Sequence, residues 1–319
     1  MPADQLTQDE VSNSGKLVPW IVKPYRRDGE GVIQSGLERL FALRPMAAWG
    51  KNADEAWSTA YVLTRLAELP GKMLSHSHLG EIRCSLEWLV QSQNGGIWND
   101  RGKPDCLTTA LAITALRAYG IDIPAAALNF LSRCRTTDGG FASSPDHQTE
   151  PDVITRLAIT VTACRALQCV HPQTEEFLSR HVACALSLPG ICDAGLYLCS
   201  EILDWPVGLA SVNLEQKVSQ LAQLEAESAY GHALLLRSLL HLRIPRAWKV
   251  AAQLRDLQSH DGSWRGDSSF EEQNLRPEAV LSRHPSQHVI LASSVSALAM
   301  AETQPGPYFG PDLGLAKRL

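Results

Sequence analysis

The sequence predicts an all-α protein, an (α/α)6 toroid in which six helix pairs form an inner and an outer ring, and three observations carry that expectation. Apolar residues recur at three- and four-residue spacing along most of the chain, while alternating stretches rich in β-branched residues are nearly absent. The tetrapeptide LAIT occurs at 111–114 and again at 157–160, a period of 46 residues that suits a helix-pair repeat. A turn of similar composition returns as "QSQNGGIW" at 91–98, as "RTTDGGF" ending at Phe141, and as "QSHDGSW" at 258–264.

Two kinds of helix alternate along the chain. A helix with a polar stripe can face water, whereas one that is apolar on nearly every side has to be buried. The first kind is expected at about 32–44, 80–93, 124–135, 174–188, 209–223 and 246–258, with "CSLEWLVQSQ" and "AAALNFLSRC" as examples. Each is followed by one of the second kind, at about 54–69, 105–119, 152–168, 193–204, 226–242 and 287–302. "TTALAITALRAYG" and "VITRLAITVTACRAL" show its apolar, small-residue character. Gly turns join the members, and Gln258, the Asp261–Gly262 turn and Trp264 show the logic: the aromatic ring covers a helix end while the Gln amide satisfies backbone groups there.

No linker rich in Pro, Gly or Ser divides the chain, so residues 31–302 form a single domain. Residues 1–30 are expected to be partly disordered, and the tail from Thr303, "TQPGPYFGPDLGLAKRL", is too rich in Pro and Gly for helix. Hydrophobic residues make up 45% and charged residues 20% of 319, ample for a core. A net charge of −5 gives no basis for a nucleic-acid partner. No apolar run approaches the roughly 20 residues of a membrane span, and the polar opening lacks the apolar centre of a signal peptide. The eight cysteines show no CxxC pairs and fall mostly in apolar runs, which reads as buried free thiols in a cytoplasmic protein.

The stretch "KVAAQLRDLQSHDGSW" resembles the QW repeat of the terpenoid cyclases and protein prenyltransferases, with Lys249, Leu254, Gln258, Gly262 and Trp264 in register. Ala127, Phe130, Leu131, Gly139 and Phe141 match a second copy, in which Arg135 stands for the Gln, and Trp88, Leu89, Gln93 and Trp98 match a third with one residue of slippage. The resemblance implies a single toroid that binds a small apolar or prenylated substrate in a central cavity. Class II cyclases of this superfamily use an Asp-x-Asp-Asp motif as proton donor. Asp152 matches its first Asp, with Ile154 and Thr155 at the other two places, and Asp105 heads a second candidate. The zinc prenyltransferases use an Asp-x-Cys pair and a later His; His288 matches the His, but "EAESAYGHALLL" supplies no Cys.

Asp54, Glu55, Asp105, Glu150, Asp152, Asp193, Glu225, Glu227 and His288 all lie near the expected starts of inner helices. Asp at such a position is also a common N-cap, stabilised by the helix dipole, so a proton donor there needs desolvation or a second carboxylate to raise its pKa. The resulting candidates are Asp152, Glu150, Asp105 and Asp54 for acid chemistry, with no metal or cofactor. Arg156 is the candidate anion clamp, with Arg237 and Arg283 also near the expected cavity. Trp57, Tyr61, Tyr197 and Tyr230, with His288, are candidate walls for a substrate whose developing positive charge wants aromatic faces, and Trp49 and Trp205 are further aromatics for the same role. The expected activity is acid-initiated cyclisation of an isoprenoid or polyene; a zinc prenyltransferase-like enzyme and a non-catalytic toroid binding an apolar ligand or partner are the alternatives.

Overall fold

A computed structural model describes residues 26–44, 47–49, 56–100, 102–146, 153–185, 193–204, 223–226, 228–264 and 286–304. The protein is all-α. Its helices are α1 (Arg26–Ala42), α2 (Ala56–Leu66), α3 (His76–Gln91), α4 (Cys106–Ala118), α5 (Ala125–Arg133), α6 (Val153–Leu167), α7 (Pro172–Ala185), α8 (Asp193–Asp204), α9 (Ala229–His241), α10 (Ala247–Asp256) and α11 (Gln287–Thr303). A two-residue hairpin, β1 (Asn99–Asp100) with β2 (Lys103–Pro104), lies in the turn before α4. The expected helix at 209–223 lies almost wholly outside the described residues. Helix α1 begins six residues before the predicted start at 32, because its polar opening "RRDGEG" has no apolar period to read.

Six helices, α2, α4, α6, α8, α9 and α11, coincide with the segments expected to be apolar all round, and the burial agrees. In α4 every residue from Cys106 to Ile113 is buried, and in α9 every residue from Ala229 to Leu240. These six helices pack in sequence order, α2 on α4, α4 on α6, α6 on α8, α8 on α9 and α9 on α11, and α11 returns to α2. The circuit of contacts therefore closes on itself.

The amphipathic helices pack differently from the pairing read along the sequence. Helix α3 lies on α2, α5 on α4, α7 on α6 and α10 on α9, so each rests on the apolar helix that precedes it, and α1 rests on α11. The cause is connection length. Helices α4, α6 and α9 pass to their partners through short, tightly closed C-termini, with Gly120 (φ 69°), Gln168 (φ 52°) and Arg243 (φ 55°) in the left-handed conformation that ends a helix in a Schellman motif. From α1, α3, α5 and α10 the way to the next apolar helix runs through the longer aromatic turns.

Those turns are built alike. The indole Nε1 of Trp98 donates to the carbonyl of Leu89 at 2.7 Å, and that of Trp264 to Leu254 at 2.6 Å, capping the preceding helix ends. Trp49, expected as a cavity wall, is a further copy, because its Nε1 donates to the Leu40 carbonyl at 3.1 Å. The backbone N–H of Trp49, Trp98 and Phe141 then donates to the hydroxyls of Thr59, Thr109 and Thr160, tying each turn to the apolar helix that follows. Gln258 Nε2 donates to the carbonyls of Val32 (2.9 Å) and Gly262 (3.1 Å), so the last turn is fastened to the first helix. Gly262 (φ 80°) lies so close to the Ser35 backbone that a Cβ there has no room, and Gly139 (φ 93°) meets Gln173 in the same way.

Candidate functional site between the apolar helices

Trp57, Tyr61 and Arg65 stand at four-residue spacing on α2, which places them on one face. The Trp57 and Tyr61 rings are stacked, with centroids 5.6 Å apart, and the Arg65 guanidinium lies 4.9 Å from the Tyr61 centroid. Tyr197 of α8 sits 6.4 Å from Tyr61, and Tyr230 of α9 is close enough that their electrostatics interact. Tyr61 Oη shares a 2.8 Å hydrogen bond with Ser293 Oγ of α11. Three helices thus bring three of the predicted wall aromatics into one buried layer, with Trp57 half-buried beside it and Ser293 of α11 bonded to it. Burial pushes the Tyr197 and Tyr230 hydroxyls well above their ordinary pKa, so both stay neutral.

One turn further along α2 the layer gives way to ion pairs. Arg65 pairs with Glu201, with Asp204 at 3.1 Å and with Glu68 at 2.9 Å. Arg237 Nη1 donates to Glu68 Oε2 at 2.6 Å and to Ser296 Oγ at 2.7 Å, while its Nη2 reaches Asp204 Oδ2 at 2.5 Å. Arg165 pairs with Glu201 at 3.2 Å, and His241 Nε2 is hydrogen-bonded to Asp204. Three guanidiniums face three carboxylates, which is how charge survives at such depth. Burial alone would raise the Asp204 carboxyl, yet Arg237, the His241 hydrogen bond and Arg65 hold it well below the usual range. Glu68 is likewise held low against its own burial, by Arg237 first and then Arg65. The cluster consists of residues from or just beyond the C-terminal halves of α2, α6, α8, α9 and α11, and sequence reading placed only Arg237 near it.

The other candidates fare differently. Asp54, Glu150 and Asp152 lie outside the described residues, as do Glu55, Glu227, Arg283 and Trp205, and of Asp193 only the backbone is described. Asp105 is an N-cap: its Oδ2 accepts from the backbone N–H of Thr108 at 2.8 Å and from the Thr108 hydroxyl at 2.7 Å. Glu225 is exposed. Among the described residues Arg156 reaches the second aromatic turn, where it pairs with Asp138, donates to Thr136 Oγ1 at 2.6 Å and lies 4.8 Å from the Phe177 ring centroid. His288 Nε2 donates to the Leu43 carbonyl at 2.9 Å, leaving the buried Nδ1 without a hydrogen-bond partner among the described residues. No group of three His, Cys, Asp or Glu among the described residues is placed to hold a metal ion. The thiols are not all buried, since Cys84 and Cys169 are exposed. Among the described residues no helix is long and apolar enough to cross a membrane.

No protein-family model and no curated protein matches the chain.

Proposed function

We propose that the chain is a terpenoid-cyclase-like (α/α)6 toroid that holds an apolar isoprenoid or polyene between its apolar helices and cyclises it by acid initiation, without a metal. The observation that carries this reading is the aromatic layer of Tyr61, Tyr197 and Tyr230, with Trp57 at its edge, drawn from three helices of a closed circuit and backed by a charge-balanced cluster. The aromatic turns that fasten each repeat to the next support the same family resemblance.

Such a reaction begins when a carboxylic acid protonates a terminal alkene or epoxide, and it ends when the last carbocation loses a proton. Between those steps the charge needs a face of π-electron density and no water. Tyr61 is stacked on Trp57 and lies under Arg65, so Tyr197 and Tyr230 are the ring faces proposed to meet the charge. Asp152 is the proposed proton donor, with Glu150 as the neighbouring carboxylate that raises its pKa.

A second reading, a toroid that binds an apolar ligand without chemistry, draws on the degree to which Tyr61, Arg65 and Arg237 are already partnered. Incubation with linear isoprenoid diphosphates and prenylated aromatics, with and without chelator, separates the readings. A cyclic product that is insensitive to chelator and lost in Asp152→Asn supports the cyclase. Chelator-sensitive prenyl transfer points to the zinc enzyme, with the His288 Nδ1 as one ligand, and retention of ligand without product points to the binding toroid.

A further inference from the structure

The second aromatic turn departs from its relatives at two positions, and both departures line the same groove. Arg135 stands where the other copies have Gln93 and Gln258, and Phe141 stands where they have Trp98 and Trp264. Phe lacks the indole N–H and the second ring, and the space it leaves is part of a groove of about 180 Å³ that is also lined by Cys164, Cys169, His171 and Thr174. The hydroxyl of Thr174, a residue with no exposed surface, has no hydrogen-bond partner among the described residues.

The two cysteines are paired by backbone geometry. Helix α6 ends in a Schellman motif, with Gln168 in the left-handed conformation, Cys169 N–H donating to the Cys164 carbonyl at 3.3 Å and Gln168 N–H to the Arg165 carbonyl at 3.2 Å. This motif is frequently accompanied by a contact between the side chains of its first and last positions, and here both thiols line the one groove. Helix α4 closes in the same way with Leu116 and Ile121, and α9 with Leu239 and Ile244. Where two repeats place an apolar pair, the third places two thiols, one buried and one exposed, beside the cation introduced at Arg135.

We propose that this groove is a thiol oxidation site, in which a hydroperoxide oxidises Cys169 and Cys164 then closes a Cys164–Cys169 disulfide. In the first step the Cys169 thiolate attacks the peroxide O–O bond, giving a sulfenic acid and releasing hydroxide or alkoxide, which takes up the thiol proton to leave as water or alcohol. In the second step the Cys164 sulfur displaces the sulfenic oxygen, the S–S bond forms and the Cys164 proton leaves with that oxygen as water. Two thiols are oxidised, and the hydroperoxide is reduced by two electrons. The order follows from access: Cys169 is exposed, while burial pushes the Cys164 thiol up to about 12 and leaves it neutral until a sulfenic sulfur is presented.

The test is peptide mapping of the full chain after stoichiometric hydrogen peroxide, without reductant. Trypsin cleaves after Arg156, Arg165 and Arg180, so the disulfide links fragment 157–165 to fragment 166–180 with the loss of two hydrogens. That linked pair is the expected dominant product. In Cys164→Ser the Cys169 sulfenic acid persists and is trapped by a cyclic 1,3-dicarbonyl probe; should that variant fail to fold, the wild-type map decides alone. Oxidation of Cys169 only to the sulfinic acid, linkage through any other cysteine instead, or modification of Cys169 no faster than of Cys84, the other exposed thiol among the described residues, would each overturn the proposal.

Discussion

Arg237→Met removes the guanidinium that joins the buried cluster. In the folded chain Arg237 makes five hydrogen bonds, two to Glu68, one to Asp204 and one each to Ser200 and Ser296. Met fills much of the same volume, so the cavity contribution is small, and the main loss is electrostatic. Three cations against three anions become two against three, and Glu68 and Asp204 are left with Arg65 as their shared guanidinium. Removing one member of a buried, hydrogen-bonded pair costs about 3–5 kcal/mol. The assay is urea unfolding, because guanidinium salts would screen the interaction under test; the midpoint should fall with the slope unchanged. Glu68→Gln in the Arg237→Met background restores the charge balance, so the double variant should lose about 1–3 kcal/mol less than the sum of the singles. A single-variant loss below about 1 kcal/mol, or strict additivity, would refute the claim that these groups act as one network.

Acid should reveal the same network from the other side. The Glu68 and Asp204 carboxyls have folded pKa values below their ordinary ones, so their stabilising contribution is complete above about pH 5 and is lost as pH falls through the depressed values. Stability measured against pH should therefore drop in that acid window, and drop less steeply in Asp204→Asn. Thr109→Val keeps the shape of the side chain but strips the Trp98 backbone N–H of its partner and leaves the Trp98 C=O with the Asp105 N–H, and a loss of about 1–3 kcal/mol in urea is expected. Gly262→Ala forces a Cβ against Ser35 at a positive φ, and should cost about 1–3 kcal/mol. Gly31→Ala, at an exposed and open position in α1, should stabilise by about 0.5–1 kcal/mol, and the two midpoints should move in opposite directions.

The helices were legible because periodicity is a local property. A reading of 105–119 became Cys106–Ala118, and 287–302 became Gln287–Thr303. Local patterns do not report which helix lies on which, so the pairing of each amphipathic helix with the apolar one before it had to come from contacts. The Trp49 turn was hidden because it lacks the Gly of the other copies and the Gln of two of them, although Leu40 precedes Trp49 by the same nine residues that separate Leu89 from Trp98. The ion-pair cluster was hidden for a different reason. Arg65 and Glu201 are 136 residues apart and Arg237 and Glu68 are 169 apart, and each reads singly as an ordinary charge near a helix end. The available signal was charge where water is excluded, as in Arg237 within the run "LLLRSLL". The contacts of Arg156 were hidden in the same way: it follows Asp152 by one turn in sequence, and its pairing with Asp138 and the Phe177 ring follows from the fold alone.

Acid-initiated cyclisation leaves a mark in its product that ionisation of a diphosphate does not itself leave. A proton taken from solvent through the carboxyl group becomes part of the product, whereas ionisation by loss of diphosphate adds none. The decisive measurement is incubation of the protein with linear isoprenoid substrates in deuterium oxide, followed by mass spectrometry of the hydrocarbon or alcohol formed. A cyclic product carrying one deuterium at a non-exchanging carbon, absent in Asp152→Asn, is the predicted result. A product without deuterium, or the return of every substrate unchanged, contradicts the account.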